Sequence, residues 1–184
     1  MRVISGAYKG RILKTVPDLS VRPVTDRVKQ TIFDMLANRI EMDGARVLDL
    51  FAGSGGLGIE ALSRGASHAT FVENDQDAAH FIEQNISMIG CEEEAILIET
   101  DALSFIKRCT ETFDLVFADP PYKFEETADI PQMIFSRNMI SPHGYLLIEH
   151  SKELRFDSTS LYSAGPEKRF GKTLVTFFRH QLPG

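Results

Sequence analysis

The sequence predicts an α/β fold with a mostly parallel, Rossmann-like sheet of seven strands, an antiparallel edge strand and a short N-terminal extension. Between residues 46 and 149, apolar runs of strand length alternate with amphipathic stretches of helix length. Such an alternation produces parallel strands joined by right-handed helical crossovers. The last two apolar runs have no helix between them, which predicts the antiparallel edge.

The alternating region is predicted to contain five strands, over 46–50, 69–73, 95–100, 113–118 and 145–149. Helices are predicted over 57–64, 76–89, 103–108 and about 127–138. Two further strands, over 161–163 and 173–178, are predicted to flank a loop at 165–171. The second of these runs is rich in β-branched and aromatic residues, which favour strands.

Residues 1–45 do not belong to this alternation, and we expect them to pack on a core formed by residues 46–184 within one domain. Short apolar runs at 3–4 and 11–13 can pair as a hairpin around Gly6 and Gly10. A helix is predicted over 26–37, because four apolar residues share one of its faces: Val28, Ile32, Phe33 and Leu36.

Charge is distributed unevenly along the 184 residues, whose formal net charge is −6. Residues 1–46 hold nine Lys or Arg against five Asp or Glu, a local charge of +4 that leaves −10 for the rest. A basic N-terminal arm of this kind suits a phosphate backbone, and a solvated charged edge is an equal alternative.

Several classes of protein are disfavoured by composition. The two cysteines, Cys91 and Cys109, are too few for a disulfide framework and are expected to be reduced. No apolar run is long enough to span a membrane, and the first residues do not resemble a secretory signal. The five histidines lack metal-ligand spacing. We therefore expect a cytoplasmic protein without a metal ion.

A glycine-rich turn follows the first core strand. Residues 47–58, Val-Leu-Asp-Leu-Phe-Ala-Gly-Ser-Gly-Gly-Leu-Gly, lead from that strand into a helix. Ligands of open parallel sheets bind in the crevice at the carboxyl ends of the strands, and glycine lets them approach the backbone. Gly53, Gly55 and Gly58, with Glu73 twenty residues after Gly53, also match the nicotinamide fingerprint, so an oxidoreductase is a rival interpretation.

Three acidic residues, Asp49, Glu73 and Asp101, stand at the ends of successive predicted strands. A pyrophosphate would be repelled by Asp49, whereas the cationic ammonium and sulfonium groups of S-adenosylmethionine (SAM) would be attracted. Asp101 could accept a hydrogen bond from the adenine amino group. Any one of these acids could instead be a helix cap, but three caps are a less economical explanation.

The motif Asp119-Pro120-Pro121-Tyr122 comes directly after the fourth strand. An ionised Asp119 only accepts hydrogen bonds, and the Pro120 carbonyl provides a second acceptor. Two adjacent acceptors match the two hydrogens of an –NH2 group. The Tyr122 ring offers a surface for base stacking, worth about 1–3 kcal/mol. The motif therefore indicates methylation of an amino group on a base.

These two motifs resemble those of class I SAM-dependent amino methyltransferases. Residues 4–11 (ISGAYKGR), 22–29 (RPVTDRVK), 33–36 (FDML) and 168–173 (KRFGKT) are similar to the small-subunit ribosomal RNA guanine-N2 methyltransferases of the RsmD family. The resemblance covers essentially the whole chain. It implies methylation of guanine N2 in 16S ribosomal RNA, on an assembled or partly assembled small subunit. Separately, we expect the chain to be monomeric.

The sequence and the resemblance together assign residues to three roles. Residues that contact the amino group or the base are Asp119, Pro120, Pro121 and Tyr122. Residues expected to bind SAM are Thr25, Asp49, Phe51, Ala52, Gly53, Ser54, Gly55, Glu73, Asn74, Asp101 and Ala102. Residues expected to contact RNA are Lys9, Arg11, Arg22, Arg27, Lys168, Arg169 and Lys172.

Three alternatives remain open at this point. An adenine N6 or protein glutamine methyltransferase would present an –NH2 group to a similar loop. A nicotinamide oxidoreductase would use the glycine turn differently. A non-enzymatic RNA-binding or ribosome-assembly module would need neither motif.

Overall fold

A computed structural model describes residues 1–15 and 25–181. Its sheet has seven strands: Arg46–Leu50 (β1), His68–Glu73 (β2), Ala95–Glu99 (β3), Phe113–Ala118 (β4), Ile140–Ser151 (β5), Tyr162–Phe170 (β6) and Thr173–His180 (β7). The strand order is β3-β2-β1-β4-β5-β7-β6. Strands β1 to β5 are parallel, and β7 runs antiparallel to both β5 and β6. The predicted mixed sheet is confirmed, with the reversed strand one place in from the edge.

Five α-helices accompany the sheet: Asp26–Leu36 (α1), Gly56–Ser63 (α2), Gln76–Ile89 (α3), Ala102–Arg108 (α4) and Ile130–Ser136 (α5). A 3-10 helix, Glu125–Asp129, precedes α5, so the helix predicted over about 127–138 is shorter and begins irregularly. None of the helices within the described residues is long and apolar enough to cross a membrane.

Helices cover both faces of the sheet, so the core has two layers. On one face, Phe117 of β4 packs in a cluster with residues of α1, α2 and α3, among them Phe33, Ile59 and Ile82. On the other face, Val116 packs with residues of α4 and α5, including Ile106 and Ile134. Strands buried on both faces are apolar at nearly every position, which explains why the sequence revealed them as continuous runs.

The prediction of a loop at 165–171 is wrong, because strand β6 continues to Phe170. Glu167, Lys168 and Arg169 pair with Thr176, Val175 and Leu174 of β7, after a register shift between Ala164 and Glu167. These polar residues have low strand propensity, but an edge strand tolerates charged side chains and proline because one side is exposed.

The N-terminal hairpin and helix form as predicted. The Val3 N–H donates to the Arg11 carbonyl, the Gly10 N–H donates to the Val3 carbonyl, and an isolated bridge joins Arg2 to Ile12. A buried ion pair that the composition did not indicate also holds the N-terminal extension on the core. Lys29 is fully buried, and its Nζ lies 3.3 Å from a Glu60 carboxylate oxygen and 2.6 Å from the Arg2 carbonyl. Lys29 therefore does not contribute to a basic surface.

Candidate active site

The glycine turn between β1 and α2 has positive φ angles at Phe51, Gly53 and Gly55. Gly55 caps α2 with a φ of 79°, and Gly53 has a φ of 57°. Phe51, although not a glycine, has a φ of 58°, which is unfavourable for an ordinary side chain. Strain of this kind persists only where the surroundings enforce it, and it concentrates at functional sites. The Ala52 N–H donates to the Val72 carbonyl at 3.1 Å, which holds the turn against β2.

Gly58, the third glycine of the nicotinamide-like fingerprint, is explained by packing. A Cβ at this position would lie 2.3 Å from a ring carbon of Phe71. The Gly58 N–H donates to Asp49 Oδ2 at 2.9 Å, so the Asp49 carboxylate supports the first turn of α2 from beneath. Because the close packing of α2 on Phe71 is enough to require a glycine here, its presence does not favour a dinucleotide.

Glu73 joins the glycine turn to the loop after β2. One of its carboxylate oxygens accepts from the Gly53 N–H at 2.8 Å, and the other accepts from the N–H groups of Asn74 and Asp75 at 2.9 Å. Asn74 itself is exposed. A carboxylate that accepts several backbone hydrogen bonds is a structural clamp as well as a possible ligand group.

Asp101 is the N-cap of α4 and accepts from the Ser104 N–H at 2.8 Å. Its side chain is exposed, whereas the following Ala102 is buried. Asp49, Glu73 and Asp101 thus all accept hydrogen bonds from backbone N–H groups, as helix caps do. From the sequence alone, caps at all three positions were the less economical explanation. Their common position at the carboxyl ends of three neighbouring strands is nevertheless as expected.

One cleft brings the predicted motifs together. It has a volume of about 350 Å³, including space open to solvent, and is lined by Phe51, Val72, Glu73, Asn74, Thr100, Asp101, Ala102, Pro121 and Phe124. The Phe51 ring meets the Phe124 ring edge-on, with 5.0 Å between centroids. The glycine turn and the Asp119 loop therefore contact each other in the lining of the cleft. Sequence reasoning missed Val72, Thr100 and Phe124, although Phe124 lies only two residues beyond the recognised motif.

The Asp119 loop presents its residues in different environments. Pro120 is buried, whereas Tyr122 is 74% exposed, so its ring is available to an incoming group. The Phe124 N–H donates to the Pro121 carbonyl at 2.8 Å, which closes a turn over residues 121–124. This turn brings Phe124 beside Pro121 in the lining of the cleft.

Carboxyl groups are crowded along the ends of β1, β4 and β5. Burial raises the pKa of Asp49 to about 7, against the opposing effect of its hydrogen bond from Gly58. Burial, and then the charges of Glu149 and Asp49, raise the pKa of Asp119 well above its usual range. A cation placed among these groups would favour their ionised forms. The electrostatics of this row suit a positively charged ligand.

Ser54, another residue assigned to the cofactor, is connected to the N-terminal extension. Its carbonyl accepts from Asn85 Nδ2 at 2.9 Å, and the same amide donates to the Lys14 carbonyl at 2.9 Å. Asn85 is fully buried on α3, and its Oδ1 accepts from the Lys14 N–H. A lone asparagine among the apolar positions of a helix is the sequence signal that could have identified this bridge.

The residues assigned to RNA fall into separate regions. Lys168, Arg169 and Lys172 are exposed at the tip of the β6–β7 hairpin. Because Thr173 pairs with Ser151 at the end of β5, this tip lies at the same sheet edge as Asp119.

The N-terminal hairpin instead contacts the last residue of α2, through Ala7 N–H and the Ser63 carbonyl at 2.7 Å. An eight-residue helix measures about 12 Å, so Lys9 is set back from the glycine turn by roughly that length.

Three assigned residues belong to or precede α1. Arg22 lies outside the described residues. Thr25 is the N-cap of α1 and accepts from the Val28 N–H at 3.3 Å, while Arg27 is exposed in the first turn. Among residues 1–15 and 25–181, no group of three or more His, Cys, Asp or Glu side chains is arranged to hold a metal ion.

Comparison with known proteins places these features in a family. A family described as Conserved hypothetical protein 95 matches residues 1–179. The chain is 36% identical to ribosomal RNA small subunit methyltransferase D of Haemophilus influenzae, over 83% of this chain and 80% of that protein. It is 38% identical to the Escherichia coli protein of the same name, over 81% of this chain and 71% of that protein.

Solved structures agree with this relationship. The Escherichia coli protein yhhF superposes with a TM-score of 0.86 at 28% identity, covering 100% of this chain and 99% of that one. A SAM-dependent methyltransferase from Agrobacterium tumefaciens shares the fold alone, with a TM-score of 0.61 at 18% identity over 88% of this chain and 63% of that one. The chain has the class I SAM-dependent methyltransferase fold and belongs to the Conserved hypothetical protein 95 family, the RsmD family.

Proposed function

We propose that this protein transfers a methyl group from SAM to the N2 amino group of a guanine in small-subunit ribosomal RNA. The observation that carries the proposal is that Phe51 of the glycine turn and Pro121 of the Asp119 loop line the same cleft. A donor bound along the turn would have its reactive end beside Asp119. The family relationship, and the names of its curated members, support ribosomal RNA as the substrate.

The chemistry of the cleft fits SAM. Phe51, Val72 and Ala102 provide apolar surface for an adenine ring, and the exposed Asp101 carboxylate can accept from its amino group. Asp49 provides negative charge for the cationic end of SAM, since its raised pKa falls when a cation approaches. Bound there, SAM supplies a methyl group already activated by its sulfonium.

Asp119 and the Pro120 carbonyl would hold the two hydrogens of the amine and direct its lone pair into the cleft. The nucleophile is weak, because its lone pair is delocalised into the base, so alignment in a dry site matters most. Orientation can lower a barrier by about 7–11 kcal/mol. General base catalysis contributes about 10²–10⁴-fold, roughly 3–5 kcal/mol. Asp119 therefore acts mainly by orienting the amine and stabilising its developing positive charge.

The target base has to leave its stack, at a cost of a few kcal/mol. The Tyr122 ring, 74% exposed, is placed to recover part of that cost by stacking. Exposed Lys168, Arg169 and Lys172 at the same sheet edge would contact phosphates. Such contacts position RNA without reading its sequence.

We propose that the protein acts on the small subunit as a cytoplasmic monomer without a metal ion.

The test is methylation with radiolabelled SAM of purified small subunits and of naked 16S RNA, followed by digestion to nucleosides, mass spectrometry and mapping. We expect N2-methylguanosine at one position. Label in N6-methyladenosine or in a protein glutamine would contradict the proposed target. Absence of transfer to any substrate, together with a thermal shift produced by NAD and not by SAM, would contradict the enzyme class.

A further inference from the structure

A second acidic side chain stands beside Asp119. In the parallel pairing of β4 with β5, Ala118 is opposite Ile148, so the next residues, Asp119 and Glu149, extend the same register. Neighbouring strands lie about 4.8 Å apart. Phe117 and Leu147, two residues earlier, both belong to the core cluster on the α1 face. Because side chains alternate along a strand, Asp119 and Glu149 are directed toward that same face.

Glu149 is held in place from the β6–β7 hairpin. Thr173, the first residue of β7, has its Oγ1 at 2.9 Å from Glu149 Oε1. The Glu149 charge also raises the pKa of Asp119, which agrees with this proximity of the two carboxyls. A carboxylate has about four lone-pair sites, so Glu149 can accept hydrogen bonds from several donors at once. The amine site therefore has an additional acceptor at its side.

Among the bases, this additional acceptor matches guanine only. The N2 amine of guanine is next to the ring N1–H, which is a hydrogen-bond donor. The N6 amine of adenine and the N4 amine of cytosine are each next to a ring nitrogen that carries a lone pair. A carboxylate would attract the first and repel the other two, and the repulsion would be strong in a site with little water.

We propose that Glu149 is a specificity-determining residue that accepts the guanine N1–H while Asp119 and the Pro120 carbonyl hold the N2 amine. Thr173 is a positioning residue that keeps the Glu149 carboxylate turned toward the base. This assignment rests on the proposed function, since it explains how a loop that grips any –NH2 group selects one base.

The experiment compares guanine with 2-aminopurine, which has the same amine but a lone pair in place of the N1–H. Each base is placed at the mapped target position of the same RNA fragment, and kcat/KM is measured for wild type and for Glu149→Gln. Loss of a charge-assisted hydrogen bond is expected to reduce transfer to guanine about tenfold to a hundredfold. The glutamine amide can donate to N1 of 2-aminopurine, so the guanine preference should fall at least about tenfold.

Two further variants complete the design. Glu153→Gln changes an exposed residue just after β5 and should keep the wild-type preference. Thr173→Val keeps the Glu149 carboxylate but removes the hydroxyl that holds it, so the preference for guanine should fall by a smaller factor. If Glu149→Gln fails to fold, Thr173→Val still allows kcat/KM to be compared between guanine and 2-aminopurine. The two bases differ in intrinsic reactivity, but this difference is the same for every variant. It therefore cancels when the guanine-to-2-aminopurine ratio of kcat/KM is compared between variants.

The outcomes separate the two proposals. Wild-type protein that methylates guanine, with Glu149→Gln and Thr173→Val keeping its preference within about twofold, would overturn the role of Glu149 alone. Wild-type protein that transfers nothing to guanine N2 would overturn the proposed function, and this assignment with it. Melting temperature and SAM affinity, measured for each variant, exclude a general loss of structure.

Discussion

The acidic residues at the carboxyl ends of the strands form two groups that differ in environment. On the side of β2 and β3, Glu73 and Asp101 accept backbone N–H groups from the loops and helices around them. On the side of β4 and β5, Asp119 and Glu149 are crowded against Asp49, and the pKa of Asp119 is raised. Glu73 and Asp101 thus meet mainly backbone donors, whereas Asp119 meets other carboxyl groups.

The largest effect is expected for Asp119→Ala, in the crowded group. Methyl transfer should fall about 10³-fold, roughly 4 kcal/mol, because the amine loses its charged acceptor. The affinity for SAM should change little, since most of the cleft wall remains. Labelled-methyl incorporation and calorimetry measure the two quantities, with Asp157→Ala, an exposed change, as the control. Turnover equal to wild type would contradict the role assigned to Asp119.

Asp49→Asn should alter the pH dependence of stability. The pKa of Asp49 is about 7 in the folded protein and near 3.8 when unfolded, so its contribution is fully present below about pH 4 and is lost as pH rises through 7. At most about 4 kcal/mol is involved. Asparagine retains an acceptor for the Gly58 N–H but has no charge. Urea unfolding at pH 4 to 8 should show a flatter profile for the variant, and parallel profiles would refute the assignment.

Glu73→Ala should reduce stability, in contrast to Asp119→Ala. Three backbone N–H groups lose their acceptor, which we expect to cost about 2 kcal/mol in the free energy of unfolding and to weaken SAM binding as the glycine turn loosens. Glu99→Ala, an exposed change at the end of β3, is the matched control. If Glu73→Ala unfolds at the same urea concentration as that control, the clamp has no energetic role.

The smallest effects concern the basic residues. Reversing the charges of Lys168 and Arg169 should weaken RNA binding and lower the slope of log K against log salt by roughly 0.7–0.9 for each phosphate that is no longer neutralised. Reversing Lys9 and Arg11, farther from the cleft, should act in the same direction with a smaller change. Binding isotherms at several salt concentrations compare the pairs. A larger change for Lys9 and Arg11 would move the main RNA surface to the N-terminal hairpin.

The sequence predicted the elements that have strong local signals. Strands β1, β2 and β4 each contain short apolar runs, and α3 lies between a capping aspartate, Asp75, and a terminating Gly90 with a φ of 82°. Strand β6 was predicted only over 161–163, and its continuation to Phe170 was missed because pairing with β7, and not composition, makes that part a strand. The motifs likewise predicted which loops meet at the cleft, since parallel strands end at one edge of a sheet.

Long-range partners could not be deduced in the same way. Lys29 occupies a position of the apolar face of α1, with Ile32, Phe33 and Leu36, and its partner Glu60 is 31 residues away. Each is a lone charge on an otherwise buried helix face, which indicates a buried pair but does not identify it. Glu149 and Thr173 were missed for the same reason, because only the strand register brings them beside Asp119.

The most direct test of the central claim is a crystal structure with S-adenosylmethionine or S-adenosylhomocysteine bound. We expect the adenine between Phe51 and Ala102, near Asp101, and the sulfur end of the ligand directed toward Asp119. Ligand bound instead in the groove at the amino ends of β1 and β2, beside Arg46 and Phe113, would contradict the account.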